Sequence, residues 1–278
     1  MGLVSNSKMN KAKAVKNDEF YTQLSDIEKE LKHYKEHLKD KIVYCNCDNE
    51  DSNFIKYFKD NFKELELKEL LYTGLPVDFR SNESIELLKR ADIIVTNPPF
   101  SLFNGYVDQL MEYKKKFLVI GNMNAVTLKN IFNYIMDKEL WLGVIRVREF
   151  LTPEIGIKKF GNTRWFTNLK HNKQNEELVL TKTYNEKDYP KYDNYNAIEV
   201  SKVANIPADY EGVMGVPITF LSKYNSEQFE ILGCVVPAIN IKTFIEKKEF
   251  KEFKSRQRVI NGEICQKTYH RIIIRKKK

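Results

Sequence analysis

Asn97-Pro98-Pro99-Phe100 follows directly on the apolar run Ala91-Asp92-Ile93-Ile94-Val95-Thr96. A strand that stops at an Asn followed by two prolines and an aromatic ring makes a rigid polar ledge beside a flat apolar surface. The Asn side-chain oxygen and a proline-flanked backbone carbonyl can each accept a hydrogen from an amino group, while the ring stacks on the plane that bears it. Neither proline has an N–H and both hold φ fixed, so the ledge is set before any ligand arrives. This is the acceptor geometry needed to methylate an exocyclic amine on a planar molecule. Prolines after a strand are also an ordinary way to end pairing. What favours a site is the placement, because open α/β sheets bind ligands at the carboxyl ends of their strands. Asn97, Pro98, Pro99 and Phe100 are therefore the candidate catalytic residues.

A methyl-transferring ledge needs a methyl donor bound beside it. There is no G-x-G-x-x-G after the first strand and no G-x-x-x-x-G-K-[ST] anywhere, so neither the dinucleotide fingerprint nor the phosphate loop is present. In their place, between strand and helix, stands Cys45-Asn46-Cys47-Asp48-Asn49-Glu50-Asp51-Ser52. A loop this acidic repels phosphates and suits a cationic ligand with hydroxyl and amino groups. S-adenosylmethionine (SAM), with its sulfonium, ammonium and ribose, has that character. Asp78 can accept a hydrogen bond from the cofactor's adenine amine, with Phe79 packing beside it.

The elements that must position these residues follow from hydrophobic spacing. Leu24, Ile27, Leu31, Tyr34 and Leu38 recur at helical intervals, with Ser25 and Glu28 spaced as a capping box. Lys41 to Cys45 reads as a short buried strand, and Ser52 caps a helix carrying Phe54, Ile55, Phe58 and Phe62. A strand near Glu69 to Thr73, a helix around Glu83 to Lys89 and the strand into Asn97 come next. Phe103, Tyr106, Val107, Leu110 and Met111 mark a helix, and Phe117 to Ile120 a strand. Leu128 to Met136 is a further helix, and Leu140 to Val147 a further strand. This alternation predicts an α/β fold with a doubly wound, mostly parallel sheet.

Past residue 150 the character changes. Asn168 to Asn196 is rich in Lys, Asn and Tyr and reads as a surface excursion. Val213 to Leu221 and Phe229 to Val236 return to strand-like sequence. Arg256 to Arg275 reads as two strands hinged at Asn261-Gly262, before a solvated tail, Arg275-Lys276-Lys277-Lys278. The expected division is a catalytic core over 1–150 and a second region over 151–278.

Composition agrees with a folded chain that meets a polyanion. Of 278 residues, 42% are hydrophobic and 30% charged, and 46 basic against 38 acidic residues give a net charge of +8. That balance favours DNA or RNA as partner. No apolar run is long enough for a membrane span, and Met1 to Lys16 has no signal-peptide core, so neither a membrane partner nor export is expected. Asn6 stands where a myristoylation signal needs Ser or Thr. Cys45 and Cys47 are spaced C-x-C, but the four His are scattered, so no metal site is expected.

Several segments together resemble one family, the SAM-dependent DNA adenine methyltransferases of the EcoRI type. They are Asn17-Asp18-Glu19-Phe20-Tyr21-Thr22-Gln23, Ile42 to Phe54, Val77-Asp78-Phe79-Arg80-Ser81 and Val95 to Phe103. Arg164-Trp165-Phe166-Thr167-Asn168-Leu169, Gly212 to Leu221 and Gln228 to Gly233 complete the match. Asn-Pro-Pro-Phe alone is shared by several amine methyltransferases; Phe-Tyr-Thr upstream and Arg-Trp-Phe-Thr-Asn-Leu downstream are more specific.

The resemblance implies a class I SAM-dependent methyltransferase fold with a C-terminal, β-rich DNA-recognition elaboration. Phe20, Tyr21 and Thr22 would close over the methionine end of SAM. Cys45, Asn46, Cys47 and Asp48 would form the first SAM-binding loop, where most methyltransferases carry glycines. Asp78 and Phe79 would contact the cofactor adenine, and Asn97 to Phe100 would border the cofactor and hold a target adenine flipped out of duplex DNA. Arg164, Trp165, Lys170 and Lys173 are the candidates for DNA contacts, followed by Lys182, Lys187 and Lys191. A cytoplasmic protein of bacterial or phage type is implied, with a cognate restriction endonuclease acting on the same site but not in stable complex. The rival readings are methylation of an RNA base or a protein glutamine at the same ledge, and a catalytically silent DNA-binding module.

Overall fold

The computed structural model describes residues 21–73, 78–152, 156–193, 196–235, 245–246, 259–261, 263–264 and 270–277. Phe20 and Val77 lie outside them, as do Met1 to Lys16 and Gly262. No helix among the described residues is long and apolar enough to cross a membrane. The chain forms two compact units. One comprises the described residues up to Ala125 with Leu142–His171, the other Val126–Trp141 with the described residues from Asn172 onward.

The first unit is built on a seven-stranded sheet. Its strands are β1 (Tyr21–Thr22), β2 (Ile42–Cys45), β3 (Glu69–Tyr72), β4 (Ile93–Thr96), β5 (Lys116–Asn122), β6 (Trp141–Thr152) and β7 (Gly156–Thr167). The order across the sheet is β1-β6-β7-β5-β4-β2-β3. β3, β2, β4 and β5 pair in parallel, whereas β7 runs antiparallel to β5. All four residues of β4 are buried, as are Phe117 to Ile120 of β5. Strands covered on both faces show this continuous apolar run rather than alternation.

Five helices flank this sheet: α1 (Leu24–Leu31), α2 (Lys35–Leu38), α3 (Asn53–Asp60), α4 (Asn82–Arg90) and α5 (Phe103–Glu112). Ser52 caps α3 as its spacing requires, its hydroxyl accepting from Ile55 N at 3.3 Å. Ser81 does the same for α4, accepting from Ser84 N at 3.2 Å. The capping box expected at Ser25 does not form. The cap of α1 is Gln23, without a side-chain bond, and Ser25 already lies inside the helix. In α5, Phe103, Tyr106, Val107 and Leu110 turn one face into the core. The Phe103 ring lies over Gly121 at the end of β5, where a Cβ would come within 2.4 Å of it.

Sequence pattern did not reveal β7. Residue 150, where the sequence reading divides the chain, falls inside β6, and β7 beyond it completes the same sheet. The Arg-Trp-Phe-Thr-Asn-Leu segment is what fastens it. Thr167 Oγ1 donates to Phe117 O at 2.7 Å. Asn168 Oδ1 accepts from Phe117 N and its Nδ2 donates to Lys115 O, at 2.9 and 2.8 Å. Trp165 is fully buried, its ring edge-to-face with Phe54 at 5.9 Å. Most of this motif therefore holds strands together.

A buried carboxyl ties α1 to β6. Glu30 accepts from Val144 N at 2.8 Å, Ile145 N at 2.7 Å and the Tyr34 hydroxyl at 2.9 Å. Gly143 makes the approach possible, since a Cβ there would lie 2.3 Å from Glu30 Oε1. Burial pushes the Glu30 carboxyl up to about 7, opposed by those three donors.

The second unit contains α6 (Lys129–Met136) and a five-stranded sheet. The strands are β8 (Ala197–Glu199), β9 (Val213–Pro217), β10 (Phe229–Val235), β11 (Ile245–Glu246) and, at the end of the chain, a strand over Arg271–Lys276. Two short strands, β12 (Val259–Ile260) and β13 (Glu263–Ile264), pair about Asn261, whose φ of 51° is the left-handed value an Asn-Gly hairpin turn needs. The last strand, β14, lies between β10 and β9 rather than trailing as a tail. Its Ile272, Ile273 and Ile274 are fully buried, Arg275 pairs with Glu230 at 2.8 Å, and Lys276 Nζ donates to Ala208 O. The strand expected to Leu221 stops at Pro217, after which Ile218–Lys223 coils into a 3-10 turn. The tyrosine-rich excursion is partly interior, because Tyr189 and Tyr192 bury their rings while their hydroxyls bond to Asn205 O and Glu199.

Candidate active site

Because β2, β3, β4 and β5 are parallel, the segments that follow them emerge along one edge of the sheet. Thr96, the last residue of β4, is fully buried and joins two of these segments. Its hydroxyl accepts from Cys47 N at 3.3 Å and donates to the Asp48 carboxylate. The ledge comes next, with Pro98 buried and Asn97, Pro99 and Phe100 half-buried. Leu102 N donates back to Pro99 O at 3.0 Å, so the chain coils tightly from the ledge into α5. The Phe100 ring meets Phe150 of β6 and Phe160 of β7 nearly at right angles, at 6.0 and 6.1 Å. Those two rings pack on one another at 5.4 Å.

Tyr106 of α5 draws the other segments in. Its hydroxyl donates to Asn46 Oδ1, and its ring stands edge-to-face with Phe79 at 5.0 Å. Asn46 is 1% exposed, and its Nδ2 has no hydrogen-bond partner among the described residues. Burial pushes the Asp48 carboxyl up to about 7, against hydrogen bonds from Thr96 and Ser52 that favour the charged form. The Cys45 and Cys47 thiols are raised, first by burial and then by Asp48, which keeps them protonated and poor nucleophiles. Asp78 is exposed, and both of its oxygens face Arg80, at 2.8 and 2.6 Å, which holds the carboxyl below its usual value. Its remaining lone pairs can still accept a ligand amine.

Tyr21 and Thr22 lie across from β6, Tyr21 opposite Leu151 and Thr22 opposite Phe150. Thr22 O accepts from Asn53 Nδ2 at 2.8 Å, which fastens the strand to the first residue of α3. The segment is thus tied to the residue that follows the acidic loop and paired with the residue whose ring backs Phe100. Thr22 is 3% exposed, and its Oγ1 has no partner among the described residues.

The remaining candidates are placed differently. Trp165 cannot meet DNA from the core and is withdrawn as a DNA-binding residue. Lys170 is exposed, and its carbonyl accepts from His37 at 2.8 Å. Lys173 pairs with Glu176 at 2.9 Å. Arg164 is half-buried. Among the described residues no group of three His, Cys, Asp or Glu converges as a metal site. Sequence reasoning missed Thr96, Tyr106, Phe150 and Phe160 as parts of the site. Thr96 carried a local signal, a polar residue ending an otherwise apolar strand. Tyr106 reads only as a core position at helical spacing.

A mostly parallel sheet with an antiparallel strand inserted between β5 and β6, and an Asn-Pro-Pro-Phe ledge ending its fourth strand, defines a class I methyltransferase. More specifically, the chain belongs to the EcoRI family of adenine-specific methyltransferases, whose model matches residues 8–77 and 72–277. It is 42% identical to the Type II methyltransferase M.EcoRI of Escherichia coli, over 99% of this chain and 98% of that protein. It is 37% identical to the Type II methyltransferases M.MgeORF184P of Mycoplasma genitalium and M.MpnI of Mycoplasma pneumoniae. Each of those matches covers 96% of this chain and 98% of the relative.

Proposed function

We propose that this protein transfers the methyl group of SAM to the exocyclic N6 amine of an adenine flipped out of duplex DNA, at a specific sequence. One observation carries this reading: the Asn97–Phe100 ledge is bonded through Thr96 to an acidic loop on the same sheet edge. The family and its Type II relatives favour DNA as substrate, as does the net charge of +8.

The residues at this edge fit SAM. Two buried polar atoms, Asn46 Nδ2 and Thr22 Oγ1, lack partners among the described residues, and unmatched buried groups of this kind are rare in folded proteins. Beside them stand the Asp48 carboxyl and the apolar Phe79 ring. Asp48 would face a cationic group, Asn46 and Thr22 would hydrogen-bond the polar ends, and Phe79 with Asp78 would hold the adenine. SAM, when bound, supplies an electrophilic methyl group on a sulfonium.

An adenine amine is a poor nucleophile because its lone pair is delocalised into the ring. Asn97 Oδ1 and the Pro98 carbonyl accept its two hydrogens, which favours a more pyramidal nitrogen and stabilises the positive charge that develops as the methyl arrives. Phe100 stacks on the base, and its edge-on packing against Phe150 and Phe160 fixes the ring, so much of the rate comes from positioning. No strong base is required, since the nitrogen proton becomes acidic once the methyl is attached. A paired base cannot reach this ledge, so the adenine must leave the stack.

Asp48 makes cofactor binding depend on pH. Its raised value means the free protein disfavours the charged carboxylate, and the stability it contributes is lost as pH rises through about 7. The charged form is the one that attracts a cation. Affinity for SAM should therefore strengthen from pH 6 to pH 8, and Asp48→Asn should bind more weakly with most of that rise removed. Titration calorimetry at both pH values checks this; an equal rise in the variant would remove Asp48 from the cofactor site.

The substrate is tested by incubating the protein with SAM labelled in its methyl group and with duplex DNA, ribosomal RNA or protein in parallel. Label should enter duplex DNA. Label in RNA or in protein glutamine would favour a rival substrate, and SAM binding without transfer to any of them would favour a silent module.

A further inference from the structure

Seven arginines fall among the described residues, and four of them face a carboxylate. Arg80 pairs with Asp78, Arg90 with Glu69, Arg271 with Glu199 and Arg275 with Glu230. The side chains of the other three, Arg146, Arg148 and Arg164, make no ion pair or hydrogen bond with another described residue, and they cluster. β6 and β7 are neighbours in the sheet. Arg146 and Arg148 are exposed and two residues apart on β6, so they share a face. Arg164 on β7 is half-buried and close enough to both to feel their charge: burial, then Arg146 and Arg148, push its guanidinium down to about 10. Among the described residues Glu30 is the one carboxylate that opposes this, and its oxygens are already taken by Val144, Ile145 and Tyr34.

Three neighbouring guanidinium groups without an ion-paired carboxylate among the described residues are a poor structural choice and a good anion site. Each presents a rigid fork of donors that fits phosphate oxygens. The same strands lead to the ledge. Arg148 is two residues from Phe150 and Arg164 four from Phe160, about 7 and 13 Å along a strand, and both rings pack on Phe100.

We propose that Arg146, Arg148 and Arg164 clamp backbone phosphates of the target DNA strand next to the flipped base, fixing the strand's position without reading its sequence. The inference rests on the DNA reading above. Phosphate pairing of this kind sets register and orientation, while base edges carry specificity.

The test is duplex binding as a function of salt, with the full-length protein and SAM present. Arg146→Gln with Arg148→Gln alters only exposed side chains, and adding Arg164→Gln completes the set. Removing one guanidinium from its phosphate should reduce the slope of log affinity against log salt by about 0.9. The double variant should therefore lose roughly two units of slope and the triple nearly three. Affinity should fall alike for target and unrelated duplexes, SAM affinity should not change, and Arg146→Lys with Arg148→Lys, which keeps both charges, should keep most of the slope. An unchanged slope in the double variant, with a steep wild-type slope, would overturn the clamp. So would a loss confined to the target sequence. If the wild-type protein shows no salt-dependent duplex binding, the DNA reading itself fails and takes the clamp with it.

Discussion

Asn97→Ala is expected to lower methyl transfer by about 10²–10³-fold or more while SAM binding stays near wild type, because a positioned acceptor of developing charge is worth that much in other enzymes. The expectation follows from where Asn97 stands. It is the first residue past Thr96, whose hydroxyl is bonded to Cys47 and Asp48, so the backbone entering the ledge is fixed from behind. It is followed by two prolines that leave the backbone little freedom. Alanine keeps that backbone and removes only the side-chain acceptor. Single-turnover transfer and SAM titration on the same sample separate the two effects. Wild-type transfer in this variant would remove the ledge from the reaction.

Glu30→Ala is expected to be the most damaging single change to stability, at about 3–5 kcal/mol. It strips the acceptor from three donors at once, Val144 N, Ile145 N and the Tyr34 hydroxyl, and leaves a hole beside Gly143. Unsatisfied buried donors and an unfilled cavity each cost free energy, and here they coincide. Glu30→Gln keeps the volume and one acceptor and should cost less. The pair also has a pH signature. With its carboxyl raised from 4.5 to about 7 in the folded protein, Glu30 contributes stability that is complete below pH 4.5 and lost as pH rises through 7. The stability difference between wild type and Glu30→Gln should thus shift against the wild type by roughly 3 kcal/mol across that window. Denaturant titrations at pH 5 and pH 8 measure it. An unchanged difference would mean the carboxyl titrates alike in the folded and unfolded chain.

What was legible in the sequence was local. Ser52 ahead of an apolar helical stretch announced α3, and the run Ile93 to Val95 announced β4, because caps and buried parallel strands leave contiguous signals. The Asn-Gly turn at Asn261 was legible for the same reason. β7 was not, since Lys158, Lys159 and Arg164 interrupt its pattern and one of its two neighbours in the sheet, β5, lies well upstream in the chain. Trp165 was a candidate for DNA contact beside the basic Arg164, yet its ring is fully buried against Phe54. Lys276 looked like tail, but its amine reaches Ala208 O from the end of a buried strand. Tyr106 illustrates the general limit. A tyrosine at a core position of a helix shows nothing of whether its hydroxyl meets water or Asn46.

Methyl transfer at the ledge is tested most directly by base-resolved sequencing of modified DNA from cells expressing this chain beside cells expressing Asn97→Ala. The expected result is N6-methyladenine at one recurring short sequence with the wild-type chain and unmodified adenine there with the variant. Methylation on another base, or N6-methyladenine undiminished in the variant, would contradict the account.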